Sequence, residues 1–291
     1  MVVFKVDGNN LIDFHLHTKF SDDSILEIDD LVDAAIEKNI KILCITDHVE
    51  PEEFEENRLS KELKLKTESY FKEIAELRQK WESRSSSREV KILTGVELGL
   101  SPETLDIGKK YIKANSFDFV LGSLHAVNGR EVNDRSLYEL RDEKEVLRIY
   151  LEELYRCIKK FDEFDSLAHI DLIRRYIKRY KGKNEIFYCF NPDPELNYLV
   201  DDILRIIRDK GKGLEVNSSG YRYGLLTPMP SFEVIKRFRG LGGEIITIGS
   251  DAHSTNQVGE KLQNVREIIL EAGFKYVFKY EKRKALPLKL K

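Results

Sequence analysis

The stretch IDFHLHTKFSDDS (residues 12–24) sets His15 and His17 one residue apart, with Asp22 and Asp23 close behind. Side chains alternate sides along a strand, so an H-x-H pair turns both imidazoles to one side and can present two nitrogens to a single ion. SDAH (residues 250–253) does the same with Asp251 and His253. The chain has six histidines: His15, His17, His48, His125, His169 and His253. All six fall within or just after a short apolar run, and acids share these places: Asp13, Asp47 before His48, Glu97 closing TGVE, and Asp251. One such histidine alone is ordinarily a satisfied core or surface group. Six of them with interleaved acids do not arise from packing, because burying so many ionisable groups without partners would cost several kcal/mol. Divalent cations supply the missing partner. A set of His and carboxylate without thiolate suits Zn²⁺, Mn²⁺ or Fe and leaves positions open for water.

The elements that must position these groups are legible as alternation. The runs NLIDFH, IKILCITDH, VKILTGVEL, FDFVLGSLH, DSLAHI, GLEVNSS and EIITIGSDAH are mostly continuous rather than alternating, as expected of parallel strands buried on both faces. Amphipathic stretches lie between them: IDDLVDAAIEKN, SPETLDIGKKYIKAN, EKEVLRIYLEELYRCIKKF, ELNYLVDDILRIIRDKG, SFEVIKRFRGLGG and VGEKLQNVREIILEAGF. Ser101 and Pro102 read as the N-cap and first residue of the second helix, and Gly211 as the residue just past the fourth. Residues 49–65 read as an irregular insertion, ESRSSSREVK (residues 82–91) as a solvated loop, and the basic tail YEKRKALPLKLK as a solvated terminus. Strand–helix alternation implies a parallel sheet with crossover helices, and such folds gather their active sites at the carboxyl ends of the strands. One α/β barrel spanning residues 1–291, with seven strands, is the simplest account.

Composition narrows the function. The chain has 291 residues, 41% apolar and 34% charged, with a net charge of −3. That balance gives no global field to hold nucleic acid. Cys44, Cys157 and Cys189 are scattered without ligand spacing, which argues for a reducing compartment. The start MVVFKVDGNN lacks the apolar core of a signal peptide, and no run approaches the ~20 residues of a membrane span. A cytoplasmic protein is expected.

The ordered set DFHLHTKFSDDS, TDH, GVE, GSLH, AHIDL and SDAH resembles the PHP superfamily, the polymerase and histidinol phosphatase domain, over about residues 13–253. GLEVNSSGYR, PMPSFEVIKRFRGLGG and the C-terminal YVFKYEKRK look more narrowly like its histidinol-phosphate phosphatases. The resemblance implies a distorted (β/α)7, TIM-like barrel with two or three divalent metal ions at the C-terminal ends of its strands. It implies a first metal on His15, His17, Glu97 and Asp251, a second on Glu97, His125 and His169, and a third on His48, His253 and an acid of FSDDS. Motif spacing favours Asp23 over Asp22 for that acid. The implied reaction is hydrolysis of L-histidinol phosphate, a small phosphorylated metabolite, to L-histidinol and inorganic phosphate by a metal-bridged hydroxide. Glu97, His253 and Arg175 are the candidates for the catalytic step, and Arg174, Arg175, Asn217 and Arg222 for binding substrate. The alternatives are a PHP phosphoesterase acting on another ester or on nucleotides or nucleic acid, and a non-catalytic metal-binding regulatory domain.

Overall fold

The structure, a computed structural model, describes residues 11–55, 58–82, 90–182 and 194–290. Seven strands form its frame: β1 (Leu11–Leu16), β2 (Ile40–Ile45), β3 (Lys91–Gly99), β4 (Phe119–Ser123), β5 (Ser166–Leu167), β6 (Gly213–Asn217) and β7 (Ile246–Gly249). Each pairs in parallel with the next in chain order. Helices α1 (Ile28–Glu37), α2 (Lys61–Glu82), α3 (Leu105–Ala114), α4 (Glu143–Lys160), α5 (Ile173–Lys181), α6 (Pro194–Asp209), α7 (Phe232–Gly240) and α8 (Leu262–Glu271) lie between or after them. The result is a nearly closed (β/α)7 barrel of the TIM type.

The seam between β7 and β1 is made just beyond the last strand. The Asp251 N–H donates to His15 O (2.8 Å), and the His17 N–H donates to Ala252 O (2.9 Å). Asp13 completes the seam with its side chain, its carboxylate accepting from the Ser250 N–H (2.9 Å) and the Gly259 N–H (3.0 Å). This acid of the first run is therefore spent on closing the barrel.

A second irregularity carries His48 to the site. The β2–β3 ladder runs from Ile42↔Lys91 to Ile45↔Thr94, then resumes as His48↔Glu97. In the gap, the Tyr70 hydroxyl from α2 lies 2.8 Å from Ile45 O and 2.9 Å from Gly95 O, sharing its one proton between them, and accepts from the Gly95 N–H (3.0 Å). The loosened backbone is thus satisfied, as a buried chain requires, and His48 lands beside Glu97.

Three expectations need correction. Ser101 and Pro102 lie before α3, whose N-cap position is Thr104; the Ser101 hydroxyl turns to Glu103 (2.5 Å) instead of capping. The insertion is not irregular: Phe54–Glu55 pairs antiparallel with Arg58–Leu59, and α2 begins at Lys61 and buries Leu63, Thr67, Tyr70, Ile74, Leu77 and Trp81. The C-terminal tail is ordered: β8 (Tyr276–Glu281) and β9 (Lys284–Lys289) form an antiparallel hairpin that buries Val277, Tyr280 and Leu288. Arg283 at its turn donates to Asp165 Oδ2 (2.5 Å) and Glu163 O (2.7 Å), just ahead of β5. Residues 83–89 of the expected loop, and Cys189, lie outside the described residues. Among the described residues no helix is long and apolar enough to cross a membrane.

Candidate metal centre

The strand ends converge on Glu97. It is fully buried near the end of β3, and five imidazole nitrogens surround its carboxylate. Oε2 faces His15 Nε2 at 2.9 Å, His48 Nδ1 at 3.2 Å and His17 Nε2 at 3.3 Å. Oε1 faces His169 Nε2 at 2.9 Å and His125 Nε2 at 3.2 Å, and accepts from the Ser123 hydroxyl at 2.5 Å. Asp251 Oδ1 lies 3.4 Å from His17 Nε2 and 3.7 Å from His15 Nε2. Four groups have ligand atoms mutually within 4.8 Å: His15, His17 and Asp251; His15, Glu97 and His169; His48, Glu97 and His125; and His17, His48 and His253.

The proton positions in this cluster follow from its outer partners. Carboxylates and carbonyls only accept hydrogen bonds. His15 Nδ1 meets Glu215 Oε1 (2.6 Å), His125 Nδ1 meets Glu50 Oε1 (2.6 Å), and His253 Nδ1 meets Asp251 O (3.0 Å). Each of these rings carries its proton on Nδ1. His17 Nδ1 meets Ser21 Oγ (3.0 Å), whose single proton goes to Asp47 Oδ1 (2.7 Å), so His17 also donates from Nδ1. Four Nε2 lone pairs therefore point inward. Two of them, on His17 and His253, are buried with no hydrogen bond among the described residues, as is His48 Nδ1. Lone pairs facing carboxylate oxygens at about 3 Å repel unless a cation lies between them, and this arrangement fits divalent metal.

The carboxylates show how much positive charge the cluster demands: against the effect of burial, Glu215, Glu97 and Asp251 hold His15, and Glu50 and Glu97 hold His125, well above the ordinary imidazole range, so these rings gain a second proton where no cation lies between them. Burial opposes ionisation of Glu97, but His15, His48 and His125 outweigh it and hold the carboxyl well below its ordinary range. Asp251 behaves likewise through His15 and His17. Burial lowers His17 further with help from His253 and His48, so this ring stays neutral, as a metal ligand must. Glu50, opposed by burial but favoured by His125 and His48, is held at about 2. Its carboxylate tucks over Gly99, where an added Cβ would meet Glu50 Oε2 at 2.0 Å.

The two acids of FSDDS separate cleanly. Asp23 Oδ2 lies 3.0 Å from His253 Nε2 and 3.7 Å from His48 Nε2, whereas the Asp22 side chain is 98% exposed, with Lys66 3.7 Å away. Asp23→Asn is expected to lower turnover tenfold or more, and Asp22→Asn to stay within about twofold, the scale of an ordinary surface change. Side-by-side phosphate-release rates check this, and equal losses in the two variants would count against the distinction.

The residues considered for substrate are placed unequally. Arg175, at the start of α5, stacks its guanidinium on Tyr223 (3.2 Å to the ring centroid) and lies 5.1 Å from the Tyr176 ring; it has no carboxylate partner among the described residues. Arg174 is 3% exposed and paired to Asp171 (2.6 Å) and Thr227 (3.3 Å). Arg222 donates to Ser250 O (3.0 Å), Asp251 O (2.7 Å) and Glu260 (2.8 Å), so it braces the Asp251 turn from the wall. Asn217 is fully buried, with its Oδ1 accepting from the Ser219 N–H (2.9 Å). Glu215, Glu50, Ser21, Ser123 and Ser219 were not singled out by sequence reasoning, although all touch the cluster. For Glu215 a signal existed: it lies two residues before Asn217 on the same strand, hence on the same side.

The PHP domain family model matches residues 13–219. A Clostridium acetobutylicum protein named "Probable histidinol-phosphatase" is 32% identical over 94% of this chain and 98% of its own length. The histidinol-phosphatase of Lactococcus lactis subsp. lactis is 28% identical, over 90% and 91% respectively. A crystal structure of histidinol phosphate phosphatase from the same organism, complexed with zinc, L-histidinol and phosphate, aligns with a TM-score of 0.75 at 25% identity, over 95% of this chain and 98% of that one. On the extent of the family match and the near full-length relatives, the chain belongs to the PHP domain family.

Proposed function

We propose that the chain is a metal-dependent histidinol-phosphatase, a single domain over residues 1–291 that hydrolyses L-histidinol phosphate to L-histidinol and inorganic phosphate in the cytoplasm. The observation that carries this reading is the ring of inward-facing imidazole nitrogens around the buried carboxylate of Glu97. The relatives and the neighbour with zinc, L-histidinol and phosphate support the choice of substrate.

In this reading His15, His17, Glu97 and Asp251 hold one cation, and Glu97, His125 and His169 a second. Asp23, His48 and His253 hold a third. Zn²⁺, Mn²⁺ and Fe all suit these donors. Divalent ions bound there would supply positive charge for the phosphate oxygens and would make a nearby water more acidic. The chain's own residues do the rest. Arg175 offers a planar donor edge to the phosphate, its ring stack on Tyr223 fixing the plane of the fork. Glu97 divides its two oxygens, Oε2 toward His15, His17 and His48 and Oε1 toward His125 and His169. His253 lies at the rim, its side chain 21% exposed, and is oriented by the bond from its Nδ1 to Asp251 O (3.0 Å).

The test is phosphate release from histidinol phosphate and from a panel of other monoesters, before and after chelation. Histidinol phosphate should exceed a generic ester by at least about 100-fold in kcat/KM, a preference worth roughly 3 kcal/mol. Chelation should abolish turnover, and added Zn²⁺ or Mn²⁺ should restore it. Equal turnover of a generic ester would overturn the substrate, and full activity in metal-free protein would overturn the metal reading.

A further inference from the structure

One carboxylate behind the centre belongs to no ligand group. Glu215 lies in the middle of β6 and is 1% exposed. Its Oε1 accepts a hydrogen bond from Nδ1–H of His15 on β1 at 2.6 Å. Its Oε2 accepts the backbone N–H of His169, just past β5, at 3.0 Å, and the Asn217 side-chain amide at 3.2 Å. The Asn217 amide has a fixed orientation, because its Oδ1 already accepts from the Ser219 N–H. Ser219 in turn donates its hydroxyl to Asp251 Oδ2 at 3.1 Å. One buried carboxylate thus joins three strands and sits directly behind the His15 ring, whose other nitrogen faces Glu97 and Asp251.

We propose that Glu215 is a positioning residue for the metal centre: it locks His15 in the Nδ1–H form and aims its Nε2 lone pair at the cation shared with Glu97 and Asp251. The inference rests on the metal reading above. The chemistry of Glu215→Gln makes it sharp. Two donors, the His169 N–H and the Asn217 amide, fix which end of the new amide must be oxygen. The NH2 end is then turned to His15 Nδ1, which can accept it only by giving up its proton. The ring proton moves to Nε2 and points at Glu97 and Asp251, where it competes with metal. Glu215→Asp keeps an acceptor-only group, so it preserves the Nδ1–H form at a longer reach.

Two measurements test this on the full-length protein. In the metal-free state, long-range proton–nitrogen spectra of histidine-labelled protein should show His15 Nδ1 protonated in wild type and Glu215→Asp, and unprotonated, with the ring proton on Nε2, in Glu215→Gln. The His15 signal is identified by its loss in His15→Asn. Zn²⁺ titration against a chelator should show Glu215→Gln binding about 10- to 100-fold more weakly, with Glu215→Asp in between. Should Glu215→Gln fail to fold, the Asp variant and wild type carry the test, and equal Zn²⁺ affinity in those two would overturn the proposal. An unchanged His15 form in a folded Glu215→Gln would also overturn it. Wild-type protein that binds no Zn²⁺ but shows the tautomer change would sink the metal reading while leaving the ring lock of Glu215 standing.

Discussion

Glu97→Gln should abolish phosphatase turnover, by about 10³-fold or more, while leaving the barrel folded. The substitution keeps shape and removes charge. In the native chain one carboxylate serves five rings, with nitrogens at 2.9 to 3.3 Å divided between its two oxygens. An amide cannot do this. Its oxygen can still accept from the Ser123 hydroxyl, which preserves the local backbone. Its NH2 would then face His15, His17 and His48, satisfying one lone pair as a donor and lacking the negative charge a cation requires. Two of the four candidate ligand groups contain Glu97, so both should weaken together. Groups that act as a unit lose most of their effect when one member goes, which sets the expected scale. Phosphate release, bound metal per chain and the thermal midpoint, measured on one preparation, separate the possibilities. Turnover within tenfold of wild type would refute the central role of this residue, and loss of the folded transition would show that the carboxylate is needed to hold the strands.

The sequence carried the strands and the histidines for one reason. A parallel barrel buries both faces of each strand, so its strands read as mostly continuous apolar runs, and polar residues gather where a run ends at the site. His48, His125 and His253 follow such runs and stand out. Glu215 does not, because it interrupts GLEVN in mid-run and looks like an outward acid until its partner on another strand, His15, is placed beside it. The α2 helix was obscured by its own charge. Leu63, Thr67, Tyr70, Ile74, Leu77 and Trp81 recur at alternating spacings of four and three, yet lysines and glutamates fill the positions between and dilute the stripe. The C-terminal hairpin lacked its usual marker: its turn is Lys282–Arg283, with φ of 50° and 64°, where Asn or Gly is the common signal. The stack of Arg175 on Tyr223 joins residues 48 apart in the chain, and no local pattern encodes it.

Gly249→Ala should cost the fold about 3 kcal/mol and turnover at least about 100-fold, although the residue carries no chemistry. Gly249 ends β7 where that strand presses against β1. A Cβ built there would lie 2.2 Å from His15 Cβ, 2.7 Å from Glu215 Oε1 and 3.1 Å from the His15 backbone nitrogen. None of these is the far end of a flexible exposed chain. Glu215 is pinned by its hydrogen bonds, and His15 sits on a strand whose carbonyl takes the Asp251 N–H. The strands must therefore part, and the seam has little ladder to hold it: two backbone bonds near its end and the Asp13 carboxylate bridging to Ser250 and Gly259. Parting them carries His15 and His17 away from Asp251, so stability and activity should fall together. Gly240→Ala is the control. It ends α7 with nothing within 4 Å of an added Cβ, and it should be neutral or slightly stabilising. Urea midpoints, Zn²⁺ affinity and phosphate release of the two variants decide the matter. A Gly249→Ala protein as stable and active as Gly240→Ala would mean that the β1–β7 seam does not hold the metal centre in register.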